Sequence, residues 1–179
     1  SIAMALAKFS ECELNDNAHR FEHSIEVQLP FLQYITQKSN IGATIVPIIA
    51  ACHKIDSIKQ FAQKIVKLIE TYKINARFIT SSDFTHYGIA YNFLPSKDVK
   101  EKIHTIDKKA IEYIINMQTE KFLSFSKTTT ICGTSAIATI MEIARLLNKK
   151  PKLLVYTTSG EVAGYNINAV VGYAAIGFY

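Results

Sequence analysis

The sequence predicts an α/β layered sheet, and three observations carry the prediction. Short apolar runs of strand length, rich in β-branched or small residues, lie at 43–50, 76–80, 153–157 and 169–178. Longer segments with helical spacing of apolar residues alternate with them. At residue 81 the chain switches abruptly from an apolar run to hydroxyls, one carboxylate and one imidazole, SSDFTHYG. α/β proteins often present chemistry this way, at the carboxyl end of a buried strand.

Taken in order, residues 23–33 read as a helix with Ile25, Leu29 and Leu32 on one side, broken or kinked by Pro30. Residues 43–50 (ATIVPIIA) read as a buried strand that Pro47 places near an edge or at a bulge. Ile58, Phe61, Ala62, Ile65, Val66 and Ile69 mark an amphipathic helix over 56–72, with Asp56 or Ser57 as its cap. Residues 76–80 form the next strand. Val99, Ile103, Ile106, Ala110 and Ile114 mark a second long helix, and 119–126 a short third one capped by Thr119. Ala136, Ile140, Ile143 and Leu147 mark a helix starting just after Cys132-Gly133-Thr134. Strands at 153–157 and 169–178 close the chain. About four strands are few for a complete three-layer domain. No repeat, low-complexity tract or linker divides the sequence, so it reads as one unit over 1–179.

A chain of 179 residues with 49% apolar and 20% charged residues is a folded one with a real core. No apolar run approaches the roughly 20 residues that span a bilayer. Cys12, Cys52 and Cys132 are odd in number and widely spaced, which gives neither a zinc pattern nor a disulfide framework. A reducing, cytoplasmic setting fits best. The net charge of +5 comes mostly from scattered lysines such as Lys97, Lys100, Lys102, Lys108 and Lys109. They form no basic run with interleaved aromatics, so the charge does not point to nucleic acid.

Four constellations could carry chemistry. Asp83 and His86 could hold a proton-transfer group near neutral pH; an Asx-type turn with a surface histidine is the plainer reading. On a helix, His23 and Glu22 would each share a face with Glu26, as a ligand pair or an oriented imidazole, or plainly as acids favoured by a helix start. In the stretch 128–134 (TTTICGT), Cys132, just ahead of a helix start, could be a stabilised thiolate, or an inert buried thiol. Residues 157–166 (TTSGEVAGYN) could line a pocket or simply connect elements. His19, His53 and His104 show no partner pattern.

Four stretches together resemble the Memo family: EHSIE at 22–26 through Leu29-Pro30, SSDFTHYG at 81–88, ICG at 131–133, and VGYAA at 171–175. That family is structurally similar to the class III (LigB-type) extradiol dioxygenases. The resemblance implies a three-layer α/β/α fold with a central mixed sheet and a metal site analogous to the dioxygenase iron site. It implies that Cys132 takes a metal-ligand position, that His86 matches the general base, that Asp83 is the acid of the same loop, and that His23 is a second histidine beside the pocket. It further implies iron or copper in the full-length parent and weak or no metal binding by this chain. The two upstream histidine stretches of the family have no counterpart here, so the chain is expected to be the carboxyl-terminal two thirds of a Memo-like protein, incomplete at its amino end. A small-molecule or peptide ligand in the cleft is expected. Two other readings stay open. One is a metal-independent cysteine hydrolase or transferase using Cys132 and His86. The other is a binding module for a peptide or small ligand without catalysis.

Overall fold

Apolar residues spaced about 3.6 apart bury one face of a helix, and the long periodic segments fold accordingly. The computed structural model describes residues 1–40 and 42–179. It comprises two compact units, Ser1–Ala51 and Cys52–Tyr179.

The first unit is helical where it is regular. Helix α1 spans Ile2–Leu6 and α2 spans Asp16–His19, where the Asn15 side chain accepts the Ala18 N–H at 3.1 Å. Neither was expected from spacing. A 3₁₀ turn at Glu26–Gln28 runs into α3, Leu29–Lys38. Pro30 therefore starts this helix and does not break it. It sits in the first turn, where its missing N–H would have had no partner and its fixed φ suits the helix. Residues 43–50 join no strand ladder among the described residues, against expectation. A strand needs a neighbour for its N–H and C=O groups, and without one Ile45, Ile48 and Ile49 stay exposed.

In the second unit α4 spans Ile55–Thr71 and buries Ile58, Ala62, Ile65, Val66 and Leu68. Its N-cap is Lys54, without a side-chain cap, so the expected Asp56 or Ser57 cap is corrected. Asp56 instead lies in the first turn, where its charge favours the helix dipole. Residues 76–80 also join no ladder among the described residues, and Phe78 and Ile79 remain exposed. The first strand is instead β1, His86–Tyr87, inside the polar motif itself.

Helix α5 spans Val99–Ile115, with Asp98 accepting the Glu101 N–H at 3.3 Å. Helix α6 is Thr119–Ser126, with Gln118 and not Thr119 at its cap. The Thr119 hydroxyl is engaged elsewhere, donating to the buried carboxylate of Glu142. Glu142 lies in α7, Thr134–Leu146. Strand β2 (Pro151–Thr158), the short helix α8 (Ser159–Ala163) and β3 (Val170–Phe178) complete the unit.

The three strands form a small antiparallel sheet of order β1-β3-β2, with registers Tyr87↔Val170 and Thr157↔Tyr173. The result is a mixed α/β unit. The main core joins Phe84 and Ile131 from the two motif loops to Ala110, Ile111 and Ile114 of α5, Phe122 of α6, and Ile137 and Met141 of α7. Ala174, Ile176 and Phe178 of β3 pack on it. A second cluster holds Tyr87, Val99, Ile103 and Val170. Both ends of the 84–87 segment are thus anchored by buried aromatics.

Phe122 is fully enclosed at the centre of this core. Phe122→Ala is expected to cost about 3–5 kcal/mol, read as a lowered midpoint in urea denaturation followed by circular dichroism.

Candidate functional site

Two loops meet to form the site. Residues 84–87 run antiparallel to β3. The Phe84 N–H donates to Gly172 O at 2.9 Å, and the Gly172 N–H donates to Thr85 O at 3.0 Å. Phe84, Thr85 and Tyr87 are buried, while Asp83 and His86 reach the surface with side chains 42% and 22% exposed. Tyr87 is pinned at its tip. Its hydroxyl donates to Ser96 O at 2.9 Å and accepts the Ser96 N–H at 3.1 Å.

The second loop, 128–133, is stitched to the first along its length. The His86 ring nitrogen Nδ1 lies 3.1 Å from Thr130 O, and the Thr130 hydroxyl donates back to His86 O. The Gly133 N–H donates to Ser82 Oγ at 2.9 Å, and that hydroxyl donates to Asp83 O at 2.9 Å. Gly133 is required by closeness: a Cβ there would lie 2.5 Å from both Cβ and Oγ of Ser82. Cys132, exposed just ahead of α7, has its Sγ 3.9 Å from Asp83 O and 3.9 Å from Ser82 Oγ.

The imidazole is engaged on both sides. Its Nε2 lies 3.4 Å from Asp83 Oδ2, and the Tyr91 ring meets it edge-on at 5.0 Å. Tyr173 of β3 shares these surroundings. Burial pushes its phenol up, and the nearby Asp83 and Tyr91 add to the effect. Among the described residues no hydrogen bond joins Cys132 Sγ to His86, so the pair is not arranged as a nucleophile and its base.

The structure therefore brings together Asp83, His86 and Cys132. His23 belongs to the first unit and is exposed. The helical face expected for Glu22, His23 and Glu26 does not form, because helical structure begins only at Glu26. Glu22 instead accepts the Ser24 N–H at 2.7 Å, which holds its carboxyl below the usual range. The polar residues of 157–166 are largely spent on a helix start. Thr158 and Glu161 form a capping box, and Glu161 accepts the Thr157 hydroxyl at 2.7 Å.

Partners invisible in the sequence appear for two histidines. His53 Nδ1 lies 3.0 Å from Ser135 Oγ at the start of α7, and His104 Nε2 lies 2.8 Å from the Tyr165 hydroxyl. Thr130 lay inside the 128–134 stretch but its own role was not foreseen, and Asp107 was missed altogether. Thr130 orients the imidazole through its backbone carbonyl, which no residue type announces, while its hydroxyl holds His86 O. Asp107 is fully buried and accepts the Thr85 N–H at 3.0 Å. Its signal was present, a carboxylate inside the apolar stripe of α5.

Among the described residues no group of three or more His, Cys, Asp or Glu side chains could hold a metal ion. One exposed thiol beside an engaged Asp–His pair does not fit a metal centre, which takes at least three protein donors. Among the described residues no helix is long and apolar enough to cross a membrane.

The site is thus an Asp–His loop laced to a cysteine-bearing helix start in an α/β unit. The family described as Memo-like protein matches residues 1–177. A MEMO1 family protein of Thermococcus onnurineus is 32% identical over 185 residues, covering 99% of this chain and 63% of that protein. Another, of Pyrococcus abyssi, is 33% identical, covering 98% of this chain and 62% of that protein. A third, of Desulfurococcus amylolyticus, is 36% identical, covering 93% and 55%. The chain belongs to the Memo family. It spans less than two thirds of the length of these relatives.

Gly133→Ala is expected to displace Ser82 and break the Gly133–Ser82 hydrogen bond, costing about 1–3 kcal/mol. Thermal denaturation reads the loss. Alkylation of Cys132 is expected to speed up in the same variant, because the thiol's loop loses its anchor.

Proposed function

We propose that His86 is the proton-transfer group of a Memo-family cleft, oriented by Thr130 and balanced by Asp83. The hydrogen bond to Thr130 O carries this reading. A carbonyl oxygen only accepts, so Nδ1 carries a proton and the lone pair of the neutral ring sits on Nε2. Nε2 can then take a proton, and the imidazolium so formed faces Asp83 Oδ2 at 3.4 Å. Both side chains are partly exposed, so the ion pair contributes under about 1 kcal/mol. Its part is to orient the ring and balance its charge.

Cys132 is the soft donor that this loop pair offers to a divalent redox metal, iron or copper. The residues present do not complete such a site, and no step runs through one. His23 lies in the first unit, and no step is assigned to it. The reading extends to a single Memo-like domain over 1–179, supported by a family match that spans both units. It extends also to a three-layer α/β/α architecture like that of the class III extradiol dioxygenases, with a small-molecule or peptide ligand in the cleft and a reducing, cytoplasmic setting.

Two measurements test it. Calorimetric titration of the 179-residue chain with ferrous or cupric ion should give weak binding without defined stoichiometry; tight one-to-one binding would show that the chain holds a metal site of its own. Iodoacetamide labelling of Cys132 at neutral pH should proceed at the same rate, within about twofold, in wild type and His86→Ala. Loss of labelling in that variant would instead make His86 the base for a cysteine nucleophile.

A further inference from the structure

Helix α5 buries Val99, Ile103, Asp107, Ala110, Ile111 and Ile114 along one face. Position 107 falls where the spacing calls for an apolar residue. An isolated buried carboxylate costs several kcal/mol, so its burial must be offset by specific partners. Asp107 has two of them. Oδ1 accepts the Thr85 N–H at 3.0 Å, and Oδ2 accepts the Tyr156 hydroxyl at 2.8 Å. Burial pushes the Asp107 carboxyl up, and the bonds from Thr85 and Tyr156 oppose that. Burial, and then the charge of Asp107, push the Tyr156 phenol up strongly, so it stays a donor.

Strand β3 makes room for this side chain. A Cβ on Gly172 would fall 1.8 Å from Asp107 Oδ2 and 3.3 Å from Phe84 Cβ. The ladder at the same point is irregular. Extending the register His86↔Val171 pairs Thr85 with Gly172, so the Thr85 N–H would be expected to meet Gly172 O. Instead Phe84 donates to Gly172 O while Gly172 donates to Thr85 O. Two loop residues oppose one of β3, the count of a β-bulge, and bulges re-aim side chains beside functional sites. The Thr85 N–H is the donor displaced from the ladder, and Asp107 receives it.

We propose that Asp107 is a positioning residue for the site. By taking the Thr85 N–H it holds the bulge, and the bulge aims His86 at Thr130 and Asp83. This rests on the reading of His86 as the proton-transfer group.

The test is the protonation pattern of the His86 ring, read by long-range ¹H–¹⁵N NMR on the 179-residue chain. Wild type should show the Nδ1-protonated tautomer. Its absence would remove the reading of His86 itself, before any variant is made. Asp107→Asn should keep the wild-type signal, because the amide oxygen can accept from Thr85 while its NH₂ donates to the Tyr156 oxygen. Asp107→Ala should lose the fixed tautomer, as the Thr85 N–H is freed to return to Gly172 O. Should Asp107→Ala fail to fold, Tyr156→Phe decides, since it removes one of the two bonds holding the carboxylate. A displaced His86 signal in that variant supports the proposal. An unchanged His86 signal in folded Asp107→Ala, or in Tyr156→Phe where the alanine variant does not fold, overturns it. A lost signal in Asp107→Asn also overturns it.

Discussion

The pairing of residues 84–87 with the start of β3 is the constraint on which the second unit depends. It gives the polar motif a strand's rigidity over only a few residues. Phe84 and Tyr87 then enter two separate apolar clusters, so the segment is fixed from both ends. Once it is fixed, the Thr130 carbonyl, the Ser82 hydroxyl and the Asp107 carboxylate each meet a group at hydrogen-bond distance: the His86 ring, the Gly133 N–H and the Thr85 N–H. Function-bearing side chains on a loop are otherwise free to wander. Here the backbone is tied to β3, to the 128–133 loop and to α5.

The helices were legible because their signal is local. The stripe Ile58, Ala62, Ile65 and the stripe Val99, Ile103, Ala110 each state their own buried face, and the helices form there. Strand signals are not local in this way. The runs at 43–50 and 76–80 carry strand-like side chains, but a strand exists only with a neighbour, and the described residues supply none. Helix starts were misread for a related reason. Thr119 has the chemistry of a cap, but tertiary packing gave it Glu142 as a partner.

The site shows the same division. Asp83, His86 and Cys132 stood out by residue type and by position next to predicted elements. The Thr130 carbonyl that meets the imidazole could not, because a backbone carbonyl is common to every residue. Asp107 could have been found by asking which residue of the α5 stripe does not belong there. Its neighbour Ile106 fits the apolar expectation and masks the break in the stripe. The buried positions on either side, Ile103 and Ala110, bracket residue 107, so the anomaly was a matter of phase rather than of composition.

The notch at Gly172 has a further consequence for assembly of the fold. An apolar stripe such as that of α5 could rest against a sheet in more than one register, because apolar contacts are not directional. A slide of one helical turn, about 5.4 Å, would move the Asp107 carboxylate out of its notch and away from Thr85 and Tyr156. It would then face an apolar wall without partners, at a cost of several kcal/mol. Asp107 therefore indexes α5 against β3 and rejects the slipped alternatives that the hydrophobic residues alone would tolerate.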